Sequence, residues 1–173
     1  AQAARRLIEI EREMESQAFV TWLETRIIEQ SKERGQNVKP ADVTRAALHH
    51  RETFITTGAL PAMSYVADQP IVAERLLGIA LTNSQEPAIV ERRWRALAAL
   101  EGKVKAEHLD PLLELALNES NPSKVRDYAF DRLSDVPSPK TVVRLWPLVQ
   151  STINPRERWR AGELVLAIGG DKV

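Results

Sequence analysis

The sequence predicts an all-α fold in which helix pairs repeat along the chain. The tripeptide Trp94-Arg95-Ala96 returns as Trp159-Arg160-Ala161, and the related step Val125-Arg126 lies between them, at spacings of 31 and 34 residues. Each motif follows a proline by a few residues: Pro87, Pro122 and Pro155. Self-similarity at this period marks a helical repeat array, in which each unit buries its apolar face against the next. Composition agrees. Apolar residues make up 43% of the chain but aromatics only 5%, whereas sheets favour aromatic and β-branched side chains.

Residues 1–34 read as one long helix or two in series. Leu7, Ile8, Ile10 and Met14 lie among charges in the first half, and Phe19, Val20, Trp22, Leu23, Ile27 and Ile28 supply the second. Ser16-Gln17 is the expected break, and Gly35 the stop. The charged start reads as a solvated helix face, since fewer than three clean heptads are present. A next helix starts near Pro40 and runs to about Thr57, closed by Gly58, with Val43, Ala46, Ala47, Phe54 and Ile55 on its apolar face. Residues 60–70 read as a loop with one helical turn.

From Pro70 the pattern becomes helix, short turn, helix. The first helices carry Leu76, Leu77, Ala80 and Leu81, then Leu109, Leu112, Leu113, Ala116 and Leu117, then Val142, Val143, Leu145, Trp146, Leu148 and Val149. The first two sets follow the i, i+3/i+4 spacing of one buried face. The second helices begin after Glu86-Pro87, Asn121-Pro122 and Asn154-Pro155. Asn is a strong N-cap and Pro suits the first helical position. Gly169-Gly170 supplies the last stop. Trp146 precedes Pro147, which predicts a kink or a restart there. Gly78 and Gly162 sit inside helical patterns, where close helix approach is the expected reason. Val90, Trp94, Leu97, Leu113, Leu117, Val125, Ala129, Leu133, Leu164 and Ile168 are expected to be mostly buried.

The unit resembles the HEAT repeat, in its shorter variety of the phycobilin-lyase type. Asn121-Pro122 ahead of Val125-Arg126 and Ala129, and the Trp-Arg-Ala copies ending in Ile168-Gly169-Gly170-Asp171, carry the resemblance. It covers about residues 70–173 and implies a right-handed α-solenoid with repeats at about 70–104, 108–136 and 138–171. Residues 1–69 then form a non-repeat helical cap packed on the first repeat, within one continuous domain. The period is shorter than the 40–47 residues of long HEAT or armadillo repeats. The chain opens on Ala1 and ends where a further repeat would begin, which predicts a longer natural protein.

Composition narrows function. Lys and Arg total 24 and balance 24 Asp and Glu, a poor match to nucleic acid, whose binding rests on many phosphate contacts. No apolar run approaches the roughly 20 residues of a membrane span. Cysteine is absent, which excludes disulfides, thiolate nucleophiles and Cys-based metal sites. His49-His50 followed by Glu52 is the one ligand-like cluster. A metal centre needs three or four converging ligands, and His108 is the only other histidine, so no metal or cofactor is expected. Carboxylates are scattered, with no acid–base pairing, phosphate loop or nucleophile elbow; no enzymatic activity is expected.

The arginines of the second helices attract more attention. Arg95, Arg126 and Arg160 read as structural, reaching a carbonyl or an Asp such as Asp127 in the neighbouring repeat. Arg92, Arg93, Arg156 and Arg158 are the expected surface cations, with Tyr128 as an aromatic neighbour; Asp110, Glu114 and Glu119 make residues 108–119 acidic by contrast. By the resemblance, second helices line the concave face. The reading is a scaffold that binds a peptide or partner domain there, the partner being acidic. The alternatives are a HEAT-like enzyme, similar to DNA glycosylases or phycobilin lyases, and a module for anions or nucleic acid.

Overall fold

The computed structural model describes residues 2–150 and 154–169. Among them every regular element is helical and there is no strand. The chain divides into two units, Ala1–Arg75 and Leu76–Val173.

In the first unit, α1 (Gln2–Glu15) and α2 (Gln17–Glu33) meet at Ser16. Its extended backbone ends one helix, and its hydroxyl caps the next by accepting from the Phe19 N–H at 3.2 Å, as the sequence predicts. At the far end of α2, Gly35 takes a φ of 64°. Its N–H donates to the Lys32 carbonyl at 3.0 Å, and that of Gln36 to Ser31 at 2.8 Å. This is the paired Schellman closure that a left-handed residue permits. α3 (Pro40–Thr53) packs on α2, and Val20, Leu23 and Ala47 form a small core with Phe19 and Ile27 against it.

Beyond Thr53 the structure departs from expectation. Gly58 does not close the helix. The chain continues through a π-turn (Phe54–Ala59) into α4 (Leu60–Ser64) without leaving helical backbone. The physical reason is Pro61. It has no N–H to give and its ring crowds the carbonyl four residues back. The wider turn, in which the Leu60 N–H reaches Ile55 O, shifts the ladder by one residue just ahead of it. Thr56 and Thr57 hydroxyls donate to the carbonyls of Glu52 and Thr53, both at 2.7 Å. The buried stripe changes side across this turn. Val43 and Ala47 precede it, Ile55 and Ala59 lie within it, and Leu60 and Met63 follow, with the turn and α4 packing on α1.

α5 (Pro70–Ala80) carries Arg75, the last residue of the first unit. Glu11 is fully buried. Arg75 grips it with two parallel bonds, Nε to Oε2 and Nη2 to Oε1, each at 2.8 Å, and Nη2 also reaches Glu15 at 2.9 Å. The planar fork matches a carboxylate, which is why Arg rather than Lys serves here.

The second unit contains α6 (Pro87–Ala99), a 3₁₀ turn (Ala106–His108), α7 (Leu109–Leu117), α8 (Ser123–Ser134), α9 (Pro139–Gln150) and α10 (Pro155–Gly169). α7 packs on α8, and α9 on α10. The second members of the pairs also touch in sequence, α6 on α8 and α8 on α10, while α7 touches α9. α9 runs through Pro147 as one helix. Of its expected apolar set Leu145 is buried, whereas Val143 and Trp146 are 71% and 48% exposed. The Gly169-Gly170 stop lies partly outside the described residues.

Burial corrects the repeat register. In α6 and its C-cap Leu100 the buried positions are 92, 93, 96, 97, 99 and 100; in α8 they are 125, 126, 129, 130, 132 and 133. The offset is 33, so Arg93 matches Arg126, Ala96 matches Ala129 and Leu100 matches Leu133. Trp94-Arg95 therefore aligns with Asp127-Tyr128 and not with Val125-Arg126. Ala161, also fully buried, continues the alanine series into α10. Leu97, Leu113, Val125, Ala129, Leu133 and Leu164 are buried as expected, while Val90, Trp94, Leu117 and Ile168 are half-buried. Gly78 and Gly162 have open space where a Cβ would go, so close helix approach does not explain them.

Candidate binding face on the second helices

The expected set of surface cations splits in two. Arg92 and Arg93 are 6% and 1% exposed and belong to the interior of the second unit. Arg93 donates from Nε to Ala80 O at 2.9 Å, from Nη1 to Ser84 O at 3.2 Å and from Nη2 to Asn121 Oδ1 at 2.6 Å. Ala80 is the last residue of α5, and its carbonyl has no donor within that helix. The arginine caps it. Burial lowers the Arg93 pKa from its ordinary value.

Arg126 repeats the arrangement one register on. Its Nε donates to Ala116 O, near the end of α7, at 3.0 Å, and Nη1 pairs with Glu157 of α10 at 2.6 Å. The role expected of Arg95, Arg126 and Arg160, to reach a carbonyl or an Asp such as Asp127 on a neighbouring element, is taken by Arg126 on Ala116 O and by Arg160 on Asp127 at 2.6 Å, and Arg93 shares it. Arg95 instead bonds Glu91 one turn back at 2.8 Å.

Asn121 is drawn into the same lattice. It was expected to cap α8. Its oxygen accepts from Arg93 and its amide donates to Leu115 O at 3.2 Å, so α8 starts without a side-chain cap. A buried guanidinium in need of an acceptor outweighs one exposed cap bond. Asn154 does cap α10, accepting from the Glu157 N–H at 3.4 Å.

What reaches solvent on α6, α8 and α10 is an aromatic and cationic cluster followed by an ion-pair network. Trp94 is half-buried and stacks on Tyr128 with centroids 5.2 Å apart and planes 29° from parallel. The Lys124 ammonium lies 3.7 Å from the Trp94 centroid and the Arg95 guanidinium 4.6 Å. Both contacts draw on the negative face of the indole. Further along, Asp127 accepts from Arg156 at 2.7 Å as well as from Arg160, and Arg160 also pairs with Asp131. These pairs stitch α8 to α10. Arg158 and Trp159 are exposed, Trp159 by 63%. A cavity of about 190 Å³ between Phe130, Asp131, Arg160 and Leu164 continues the face.

Of the sequence candidates, then, Tyr128 and Arg156 share this face, Arg158 is exposed elsewhere around α10, two residues from Arg156, and Arg92 and Arg93 are interior. Lys124 was missed, although its position one turn before Tyr128 places it on the same side. His49 and His50 are exposed, with rings 6.2 Å apart, and Glu52 bonds Arg51 at 2.8 Å. His108 is buried and structural: its Nδ1 accepts from the Lys105 N–H at 3.1 Å. Among the described residues no cluster of three or more His, Asp or Glu is placed to hold a metal ion, and no helix is long and apolar enough to cross a membrane. No protein-family model, curated protein or solved structure matches the chain.

Proposed function

We propose that the chain is a non-catalytic scaffold that binds an acidic peptide, or an acidic surface of a partner protein, on the outer face of α6, α8 and α10. The observation that supports this best is the Trp94–Tyr128 stack with Lys124 set on it. A stacked pair held on two helices offers rigid contact area at little entropic cost, and such aromatic anchors dominate binding energies. Among the described residues no carboxylate pairs with Lys124; Arg156, which shares Asp127, and the exposed Arg158 add cations on α10, while the Asp127 and Asp131 pairs fix Arg160. A carboxylate-bearing segment meets the exposed cations, and an apolar or aromatic side chain meets the indole. The second helices form the site in this reading, as in the HEAT repeats that the sequence resembles, with the cationic part set by Lys124, Arg156 and Arg158.

The test uses a twelve-residue glutamate-rich peptide containing one Phe, titrated into the full chain by calorimetry. The triple reversal Lys124→Glu/Arg156→Glu/Arg158→Glu is expected to weaken binding by more than about tenfold and to flatten its salt dependence. Equal binding by wild type and the triple variant overturns the reading. Tighter binding of a single-stranded oligonucleotide than of the peptide moves it to nucleic acid, where aromatic stacking and cations also serve.

A further inference from the structure

The first unit carries an aromatic groove that the scaffold reading does not use. Trp22, Arg26, Glu29 and Glu33 follow i, i+4, i+7 and i+11 along one side of α2, and His50 and Phe54 stand beside them on the neighbouring helical run. Together they border a cavity of about 550 Å³. Trp22 is 49% and Phe54 45% exposed, so two large rings meet solvent at the groove. The aromatic side chains are not loose. Phe19 stacks on Trp22 at 5.6 Å and meets Phe54 edge-on at 6.0 Å. Phe54 is also the first residue of the π-turn. In helical phase it continues the line of Val43 and Ala47, which pack inward, yet it ends up over the groove. Single π-turns inside helices occur frequently at functional sites.

Charge selects the occupant. Arg26 lies 5.8 Å from the Trp22 centroid and pairs with Glu29 at 3.1 Å, so those two charges cancel. Glu33 stands at the far end of the groove, and among the described residues no cation pairs with it. The groove side of α2 from Trp22 to Glu33 is about 16 Å long at 1.5 Å per residue, the length of three helical turns. We propose that this groove docks a short amphipathic helix of a partner protein, whose apolar side chains sit on Trp22 and Phe54 and whose Lys or Arg, two to three turns away, meets Glu33. This is the helix-in-groove mode, with anchors at i, i+3/i+4 and i+7. It is independent of the scaffold reading, and it calls for a basic partner segment where the second-helix face calls for an acidic one.

The experiment titrates two fourteen-residue helical peptides into the full chain. Both carry Leu at i, i+3/i+4 and i+7; one has Lys at its polar positions and the other has Gln, so neither is a ligand for the second-helix face. The Lys peptide is expected to bind about tenfold or more tightly than the Gln peptide. Glu33→Lys is expected to abolish that preference, and Trp22→Ser to remove about tenfold of the Lys-peptide affinity while leaving the helical circular dichroism intact. Phe54→Ser serves as the second variant if Trp22→Ser lowers helicity. Equal affinity for the two peptides, or a preference untouched by Glu33→Lys, overturns the proposal. So does a concentration-dependent dimer in sedimentation that Trp22→Ser abolishes, because the groove's occupant is then a second copy of the chain.

Discussion

The first unit buries a negative side chain and the second buries positive ones, and the two are satisfied by different kinds of partner. Glu11 is matched by another side chain, the bidentate fork of Arg75, which also holds Glu15. Arg93 is matched mainly by main chain, the carbonyls of Ala80 and Ser84, with Asn121 as its third acceptor. A side-chain partner has rotamers and relaxes when its mate is lost. A helix-end carbonyl is fixed by the backbone and must find water or remain unsatisfied. The second unit should therefore be the more brittle of the two at its buried charge.

Arg93→Ala breaks this comparison hardest. It strands two carbonyls and one amide oxygen and opens a void the size of a long side chain. The expected loss is about 3–5 kcal/mol in urea unfolding, the range for removing one member of a buried polar network. Arg93→Lys should fall between, because an ammonium cannot serve three acceptors in one plane. A loss below about 1 kcal/mol would mean that water replaces the guanidinium. Glu11→Gln is milder. It keeps the shape and one acceptor while Arg75 retains Glu15, so about 2 kcal/mol is expected, the worth of a hydrogen bond to a charged group. If Glu11→Gln proves costlier than Arg93→Ala, the contrast between side-chain and main-chain partners is wrong.

The same contrast explains what the sequence could and could not show. Helix existence was legible wherever the cause was local: Ser16 and Gly35 punctuate α1 and α2, and Asn154-Pro155 opens α10. The burial of Arg92 and Arg93 was not legible, because Arg is nearly always exposed unless paired, and Arg93 finds its acceptors at Ala80, Ser84 and Asn121, outside its own helix. One signal was present. Arg93, Ala96 and Leu100 recur as Arg126, Ala129 and Leu133 at a spacing of 33, but the eye goes to tryptophan first. The π-turn was hidden for another reason. Gly58 reads as a stop and Pro61 as a break, and only packing against α1 makes the continuous path worthwhile. Of the proposed binding face, Tyr128 and Arg156 were legible from their places in the repeat and near the helix starts, while the Lys124–Trp94 contact depends on how α6 and α8 meet.

Trp94→Ala sharpens the picture of the second-helix face. A core tryptophan costs about 3–5 kcal/mol on truncation. Trp94 is half-buried, so part of that transfer term is absent, and the stack on Tyr128 adds about 0.5–1.5 kcal/mol. A loss near 2 kcal/mol is expected from urea unfolding. A loss under about 1 kcal/mol would place the ring's whole worth in binding. Gly78→Ala tests a smaller effect of opposite sign. No atom lies within 4 Å of the added Cβ and the site is exposed within α5, so the variant should be more stable by about 0.5–1 kcal/mol through helix propensity. Destabilisation there would reveal a contact that Gly78 makes room for.

The smallest effect is expected where the sequence looked most alike. Trp159 has the same neighbours in sequence as Trp94, yet it is 63% exposed and Trp94 is half-buried. α6 is followed across its face by α8, which supplies Tyr128 as a stacking partner. α10 is the last helix among the described residues, and no ring contact to Trp159 occurs among them. Burial here is a property of the neighbouring helix and not of the tripeptide. Trp159→Ala should change stability by no more than about 0.5 kcal/mol, as for other surface positions, against about four times that for Trp94→Ala. If the two substitutions cost the same, then the face of α10 is covered in solution, and the exposed ring of Trp159 belongs to a contact of its own.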